Sequence, residues 1–138
     1  MFIEDGYRGI NELLKELMNK VGYQPDDILI LCKGWGDCRK LQRTIDQPIR
    51  DKTEITKNIT EGRLVLTTYH SSKGLEAPIV FLADVDKFEV QQLIENDIQL
   101  RKLLYVGVTR ASDRLYIHAS DFSKRSFAEE IRSCWNGN

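Results

Sequence analysis

Apolar residues near the start of the chain recur three and four positions apart. They are Ile10, Leu13, Leu14, Leu17, Met18 and Val21. This spacing places them on one face of a helix. Gly22 suits the C-terminal cap of that helix, and Pro25 prevents its continuation. A second helix is predicted from the apolar positions Cys38, Leu41 and Ile45.

Four short apolar runs have the pattern of buried strands. They cover residues 28–32, 63–68, 79–83 and 115–119. Runs of this kind are typical of strands covered on both faces of a parallel sheet. An edge strand is predicted near Ile49 or Ile55. Helical packing is predicted between about residues 89 and 112. A last helix is predicted from about Ser126, where Ser126 and Glu129 have capping-box spacing.

This alternation of strands and helices predicts one domain over residues 1–138, with an α/β three-layer fold and a mainly parallel sheet. Ligands of such sheets bind beyond the carboxyl ends of the strands. No apolar run reaches the roughly 20 residues that span a bilayer, and no signal peptide is evident. We therefore expect a cytoplasmic protein. The net charge of -1 restricts any nucleic-acid contact to a local patch. Cys32, Cys38 and Cys134 lack metal or redox spacing and are predicted to be buried, reduced thiols.

Two polar clusters adjoin these predicted elements. The loop at residues 69–76 gathers hydroxyls, a histidine, a lysine and backbone amides after a strand. Such groups suit an anionic ligand, for example a phosphate backbone, although ordinary solvated loops are also polar. The second cluster, residues 103–112, contains Arg110. An arginine at a helix end either interacts with the helix dipole as a charge cap or binds a phosphate through several guanidinium N–H donors.

Both clusters resemble motifs of the UvrD/Rep-type superfamily 1 DNA helicases. Residues 67–82, TTYHSSKGLEAPIVFL, resemble motif V, and residues 103–111, LLYVGVTRA, resemble motif VI. The two occur in the order that the family has. Residues 26–33, DDILILCK, are more weakly similar to the approach to motif IV. The resemblance implies a C-terminal RecA-like domain (P-loop NTPase-type). Its motif IV region lies at about 28–39, motif V at about 64–82 and motif VI at about 101–112.

The resemblance also implies residue roles. The residues implied at the nucleotide are Lys33, Gly74, Glu76 and Arg110, of which Arg110 would be the arginine finger on the γ-phosphate of ATP and Glu76 the ribose ligand. The residues implied at single-stranded DNA are Thr68, His70, Ser71 and Lys73. Lys73 and Gly74 would shape the turn between the two sites. Where the family has a stacking tyrosine and an arginine at motif IV, this chain has Cys32 and Lys33. Trp35 is a candidate substitute ring for adenine, although a core or interface aromatic is the commoner role.

The printed sequence contains no G-x-x-x-x-G-K-[ST] phosphate loop. The resemblance implies that an N-terminal RecA-like ATPase domain supplies that loop and the Mg²⁺ site. The implied function is the C-terminal motor domain of an ATP-dependent DNA helicase or translocase, with no membrane partner. Residues 33–63 leave no room for the accessory domain that the family often inserts there. The chain is either a piece of a longer protein or a short natural remnant.

Two rival functions remain open from the sequence. The first is a non-catalytic nucleic-acid-binding or regulatory remnant of a helicase, which would bind DNA without dependence on ATP. The second is an unrelated doubly wound nucleotide-binding domain, which would require a complete phosphate loop within the chain.

Overall fold

The computed structural model describes residues 2–3, 6–85 and 109–119. Its strands are β1 (Phe2–Ile3), β2 (Ile28–Cys32), β3 (Thr53–Ile55), β4 (Leu64–Thr68), β5 (Ala77–Leu82) and β6 (Ala111–His118). Its α-helices are α1 (Tyr7–Glu16) and α2 (Trp35–Thr44). A π-helical turn follows α1 at Leu17–Val21, and short 3-10 turns lie at Pro25–Asp27, Arg50–Lys52 and His70–Ser72. No helix among these described residues is long and apolar enough to cross a membrane.

The strands form one six-stranded sheet in the order β1-β6-β5-β2-β4-β3. Every pairing between neighbouring strands is parallel. Strands β2, β4 and β5 are buried along most of their length, as continuous apolar runs predict for a parallel sheet. The predicted α/β fold with a mainly parallel sheet is therefore confirmed.

The helices cover one face of the sheet. We call it the helix-covered face, where Ile10 and Leu14 of α1 and Leu41 of α2 pack against Ile30 and Phe81. Side chains alternate along each strand, so the intervening residues form a separate cluster on the second face. That cluster contains Leu29, Leu31, Val65, Tyr69, Val80, Leu82 and Ile117. The predicted helices at about 89–112 and from Ser126 lie largely or wholly outside the described residues.

The helical segment formed by α1 and the π-helical turn ends at Gly22, as the sequence predicts. Gly22 adopts φ 97°, a left-handed conformation that glycine tolerates, and its N–H donates to the carbonyl of Leu17 at 3.0 Å. Pro25 does more than block the helix, because it opens the 3-10 turn that leads into β2. The chain thus turns back within a few residues and enters the centre of the sheet.

Two boundaries differ from the sequence predictions. The edge strand forms at Ile55, whereas Ile49 only caps a 3-10 turn. Helical packing was predicted to reach about residue 112, but Thr109 and Arg110 form a turn and β6 begins at Ala111. Pairing with β5 explains this, since Ala77 lies opposite Ala111 in the parallel register. β1, only two residues long, has no pattern in the sequence.

Candidate functional site

Because the strands run parallel, their carboxyl ends lie on one side of the domain and their amino ends on the opposite side. We call these two sides the carboxyl edge and the amino edge. At the carboxyl edge, where strands end, Cys32 lies opposite Thr68, and Leu31 lies opposite Leu82. At the amino edge, where strands begin, Ala77 lies opposite Ala111, directly after Glu76 and Arg110. Strand β5 crosses from one edge to the other, so at 3.3 Å per residue the edges are about 20 Å apart.

The loop at residues 69–76, part of the segment that resembles motif V, is anchored at its start to the carboxyl edge. The buried hydroxyl of Tyr69 donates to the carbonyl of Ala83 at 2.9 Å, and the Tyr69 N–H donates to Cys32 at 3.1 Å. Ser72 Oγ donates to the Tyr69 carbonyl at 2.8 Å. Burial raises the pKa of Tyr69 well above its ordinary value, so the phenol stays protonated and remains a donor. The anchor holds the 3-10 turn His70–Ser72 against the ends of β2 and β5.

This turn presents only some of the predicted DNA-binding side chains to solvent. His70 and Lys73 are exposed, and Ser71 is half-buried. Thr68 is only 5% exposed, and its hydroxyl accepts a hydrogen bond from the Ser71 N–H at 3.1 Å. Thr68 therefore shapes the turn, while His70, Ser71 and Lys73 are the accessible members of the predicted set.

Gly74 redirects the loop from the carboxyl edge to the amino edge. Its φ of 83° is left-handed, and an added Cβ would meet no atom within 4 Å. The glycine is thus required by backbone conformation and not by crowding. After it, Leu75 packs against the cluster on the second face, and the exposed Glu76 precedes β5. One short loop connects the two edges.

Arg110 lies beside Glu76 in the sheet register. Its carbonyl accepts a hydrogen bond from the Ala77 N–H at 3.1 Å, which fixes the backbone, and its side chain is half-buried. The guanidinium Nε is buried and has no hydrogen-bond partner in the structure as described. Buried donors are nearly always paired in native proteins, so this N–H favours an anionic ligand at the amino edge.

The structure does not bring all four predicted nucleotide residues together. Glu76 and Arg110 share the amino edge, with the Gly74 turn leading to it, but Lys33 follows β2 at the carboxyl edge. Lys33 therefore lies about 20 Å from Glu76 along the strand direction. Trp35, the candidate substitute ring for adenine, begins α2 at the same carboxyl edge. Motif similarity gives the order of residues along the chain, whereas the strand register decides which edge they occupy.

A buried polar cluster at the carboxyl edge was not predicted. Asp84 follows β5 with φ 56°, and its N–H donates to Nδ1 of His118 at 3.1 Å. Its carboxylate accepts a hydrogen bond from the Tyr7 hydroxyl, and burial together with this contact raises the pKa of Tyr7. The cluster ties the start of α1 to the ends of β5 and β6. The available signal was a carboxylate placed directly after a buried strand.

Cys32 and Cys38 are buried, free thiols, which confirms the prediction for these two residues. A hydrogen bond between them raises the pKa of Cys32 and lowers that of Cys38. Cys134 lies outside the described residues, as do residues 101–108 of the segment that resembles motif VI.

Comparison with solved structures defines the class of fold. The chain is similar to the crystal structure of the C-terminal domain of a possible DNA helicase from Lactobacillus plantarum WCFS1, with a TM-score of 0.57 and 22% identity. The match covers 86% of this chain and 71% of that one. The α/β fold described above is thus also found in the C-terminal domain of that possible DNA helicase.

Sequence comparison finds similarity to one family of helicases. Residues 63–118 match the family model of the UvrD-like helicase C-terminal domain. The chain is 32% identical over 90 residues to DNA helicase II of Rickettsia typhi, covering 60% of this chain and 14% of that protein. It is 38% identical over 74 residues to ATP-dependent DNA helicase UvrD1 of Mycobacterium tuberculosis H37Rv, covering 50% and 10%. For ATP-dependent DNA helicase PcrA of Staphylococcus aureus, identity is 37% over 75 residues, covering 49% and 10%.

These matches confirm the resemblance stated from the sequence: residues 63–118 are similar to the UvrD-like helicase C-terminal domain. It spans about a tenth to a seventh of the length of the relatives above, from 10% to 14%. The matched region runs from the start of β4 to the end of β6 and includes Glu76 and Arg110.

Proposed function

We propose that this chain is the C-terminal motor domain of an ATP-dependent DNA helicase or translocase, with residues 1–138 forming one domain. In this proposal its amino edge contributes an arginine finger to ATP hydrolysis, and its carboxyl edge contributes part of the grip on single-stranded DNA. The observation that carries the proposal is the buried, unpartnered Nε of Arg110 beside Glu76 in a domain of this family. The relatives named above are DNA helicases, two of them ATP-dependent by name.

At the amino edge, Arg110 would contact the γ-phosphate of ATP. A guanidinium placed there stabilises the charge that develops on the phosphoryl oxygens during transfer. The exposed carboxylate of Glu76, one strand away, would accept a hydrogen bond from a ribose hydroxyl. Gly74 would position Glu76 through its left-handed turn. These three residues constitute the nucleotide half that we assign to this chain.

The remaining nucleotide contacts are assigned to an N-terminal RecA-like domain. That domain would supply the phosphate loop that the printed sequence lacks. Among the described residues, no three His, Cys, Asp or Glu side chains cluster as metal ligands. We therefore assign the coordination of Mg²⁺, which neutralises phosphate charge when bound, to the same partner domain.

At the carboxyl edge, the exposed His70 and Lys73 and the half-buried Ser71 would contact the phosphate backbone. Lys33 is exposed next to Cys32, opposite Thr68, so we assign it to this grip and not to ATP. Contacts of lysine with phosphates displace condensed counterions, and they carry no sequence preference.

The loop at residues 69–76 would couple the two sites. Its first residue is anchored to Cys32 and Ala83 at the carboxyl edge, and its last residue, Glu76, faces the amino edge. Domain closure on ATP would therefore act on both ends of one short segment. A shift between open and closed populations would change the grip on DNA during each hydrolysis cycle.

The proposal is tested by asking whether the two edges can be damaged separately. The experiment uses a protein in which this domain is joined to its phosphate-loop domain. Glu76→Ala removes a charged hydrogen bond and should raise KM for ATP by about tenfold, with DNA affinity unchanged. Lys73→Ala should weaken binding of single-stranded DNA and lower the salt slope of log Kd by about one, with KM for ATP at saturating DNA unchanged.

Lys20→Ala is the matched control, because Lys20 is equally exposed but lies on the turn that follows α1. It should alter neither constant. If Glu76→Ala and Lys73→Ala both weaken DNA binding and leave ATP kinetics unchanged, the non-catalytic remnant is correct and the motor assignment is wrong.

A further inference from the structure

We propose that Trp35 is a stacking platform for a DNA base at the carboxyl edge, with Lys33 and Arg39 holding the adjoining phosphates. This inference rests on the proposed DNA grip and extends it to contacts with bases. The ligand is single-stranded nucleic acid with unpaired bases, because a duplex does not expose a base face to a side chain.

The position of Trp35 is the first observation. It is the first residue of α2, three positions after Cys32, and Cys32 lies opposite Thr68 in the sheet register. Thr68 in turn caps the turn that carries His70 and Ser71. The indole therefore belongs to the same edge as the proposed backbone contacts. It lies about 20 Å from Glu76 and Arg110 along the strands, which is too far to stack on the adenine of a nucleotide held there.

The burial of Trp35 is the second observation. One part of the side chain packs against the hydrophobic cluster of the helix-covered face, and the residue as a whole is only half-buried. Packing fixes the ring, so that a stacking base would lose little entropy to side-chain ordering.

The glycines on either side of Trp35 are the third observation. Gly34 has φ -146°, an extended conformation open to any residue, and a Cβ there would meet only Asp37 Oδ2 at 3.5 Å. Gly36 lies inside the first turn of α2, where glycine weakens a helix, and a Cβ there would meet only Arg39 Nη2 at 3.9 Å. Neither backbone geometry nor crowding requires these glycines. Their effect is to leave the ring without neighbouring side chains from positions 34 and 36.

The surrounding charge is the fourth observation. Lys33 is exposed two residues before Trp35, and Arg39 is exposed one helical turn after it. Asp37, in the first turn of α2, is the acidic residue in this segment and is less exposed than either cation. An aromatic ring bracketed by exposed cations is the combination that non-specific single-strand binders use.

The test uses a Trp135→Phe background, which leaves Trp35 as the single tryptophan. Addition of oligothymidylate should quench the tryptophan fluorescence, with a midpoint that agrees with the fluorescence anisotropy of a labelled oligomer. Trp35→Leu keeps an apolar side chain but removes the ring, and it should weaken binding by about fivefold or more. Trp35→Phe should retain much of the affinity, because a smaller ring still stacks.

Two comparisons separate stacking from charge. An abasic oligomer keeps the phosphates but has no bases, so Trp35→Leu should not weaken its binding. Trp35→Leu should also leave the salt slope of log Kd unchanged, whereas Lys33→Met should reduce it by about one. Tyr23→Leu is the control for loss of a half-buried aromatic ring, because Tyr23 precedes β2 at the amino edge. It should not affect DNA affinity, and thermal unfolding must show that each variant folds.

The outcomes distinguish this inference from the proposed function. If the parent protein does not bind oligothymidylate at all, the proposed DNA grip fails and the inference fails with it. If the parent binds but Trp35→Leu binds equally well and the fluorescence is unchanged, the DNA grip stands and Trp35 is only a packing residue. Equal weakening on normal and abasic oligomers would also overturn stacking.

Discussion

The anchoring of the loop at residues 69–76 by Tyr69 leads to a quantitative prediction. Tyr69→Phe removes one oxygen atom and keeps the ring within the second-face cluster. The lost hydroxyl is the donor to the carbonyl of Ala83 at 2.9 Å, in a fully buried position. Because water cannot replace that donor, the carbonyl would lose this hydrogen bond without compensation.

The expected magnitude follows from burial and chain length. A buried carbonyl that loses a neutral hydrogen bond costs about 1–2 kcal/mol. A chain of 138 residues has an unfolding entropy of about 0.3 kcal/mol/K, from about 2.1 cal/mol/K per residue. Tyr69→Phe should therefore lower Tm by about 3–7 °C. Because the same residue holds the turn that carries His70 and Lys73, the affinity for single-stranded DNA should fall as well.

The assay is thermal and urea unfolding followed by circular dichroism. Tyr116→Phe is the control, since Tyr116 is equally aromatic and buried, but its hydroxyl only accepts a long 3.5 Å contact from exposed Arg114. Its stability should change by less than about 0.5 kcal/mol. If Tyr69→Phe is as stable as the parent protein, or no less stable than Tyr116→Phe, the hydroxyl of Tyr69 does not anchor the loop.

Three further predictions concern pH, catalysis and salt. Tyr69 and Tyr7 have pKa values raised above 10.0 in the folded state, so the unfolded chain loses these protons first as pH rises. The contribution of these two tyrosines to stability should be constant below about pH 10 and fall above it, and Tyr69→Phe should flatten that fall in unfolding titrations. The 138-residue chain alone should release no phosphate from ATP, with or without single-stranded DNA; turnover of about 1–100 per second would contradict the assignment of the phosphate loop to a partner domain. Binding of single-stranded DNA by the chain should be weak and should weaken further as salt rises; anisotropy that is insensitive to salt, or confined to one base sequence, would contradict a grip on phosphates.

The periodic elements were predictable because their signals are local. The spacing from Ile10 to Val21 and the left-handed Gly22 define the first helix without reference to the rest of the chain. The apolar run at Ile28–Cys32 defines a central strand with the bounds expected from the sequence. The motif V resemblance located the loop that joins the two edges, since it lies between two strands that were each recognisable.

The placement of side chains at the edges was not predictable in the same way. The resemblance implied that Lys33 lies at the nucleotide, and Trp35 was only a candidate substitute ring for adenine. The register of β2 against β4 puts both residues at the carboxyl edge. The Tyr7–Asp84–His118 cluster joins residues 77 and 34 positions apart, and no local pattern predicts such contacts. The start of β6 at Ala111, inside the range predicted to be helical, likewise depends on pairing with Ala77 of another strand.

The most direct test of the account concerns Arg110 in the protein that joins this domain to its phosphate-loop domain. Arg114 provides the control, because it is an exposed arginine four residues later, within β6, whose guanidinium lies 5.6 Å from the centre of the Tyr23 ring. Steady-state ATP hydrolysis at saturating DNA should fall by about 10³ or more in Arg110→Ala, equivalent to roughly 4 kcal/mol of transition-state stabilisation. Arg110→Lys should be nearly as slow, because lysine lacks the fork geometry, and Arg114→Ala should remain close to the parent rate. A rate for Arg110→Ala within about threefold of the parent would show that Arg110 is only a surface charge cap and would contradict the assignment of this chain as the half of the motor that carries the arginine finger.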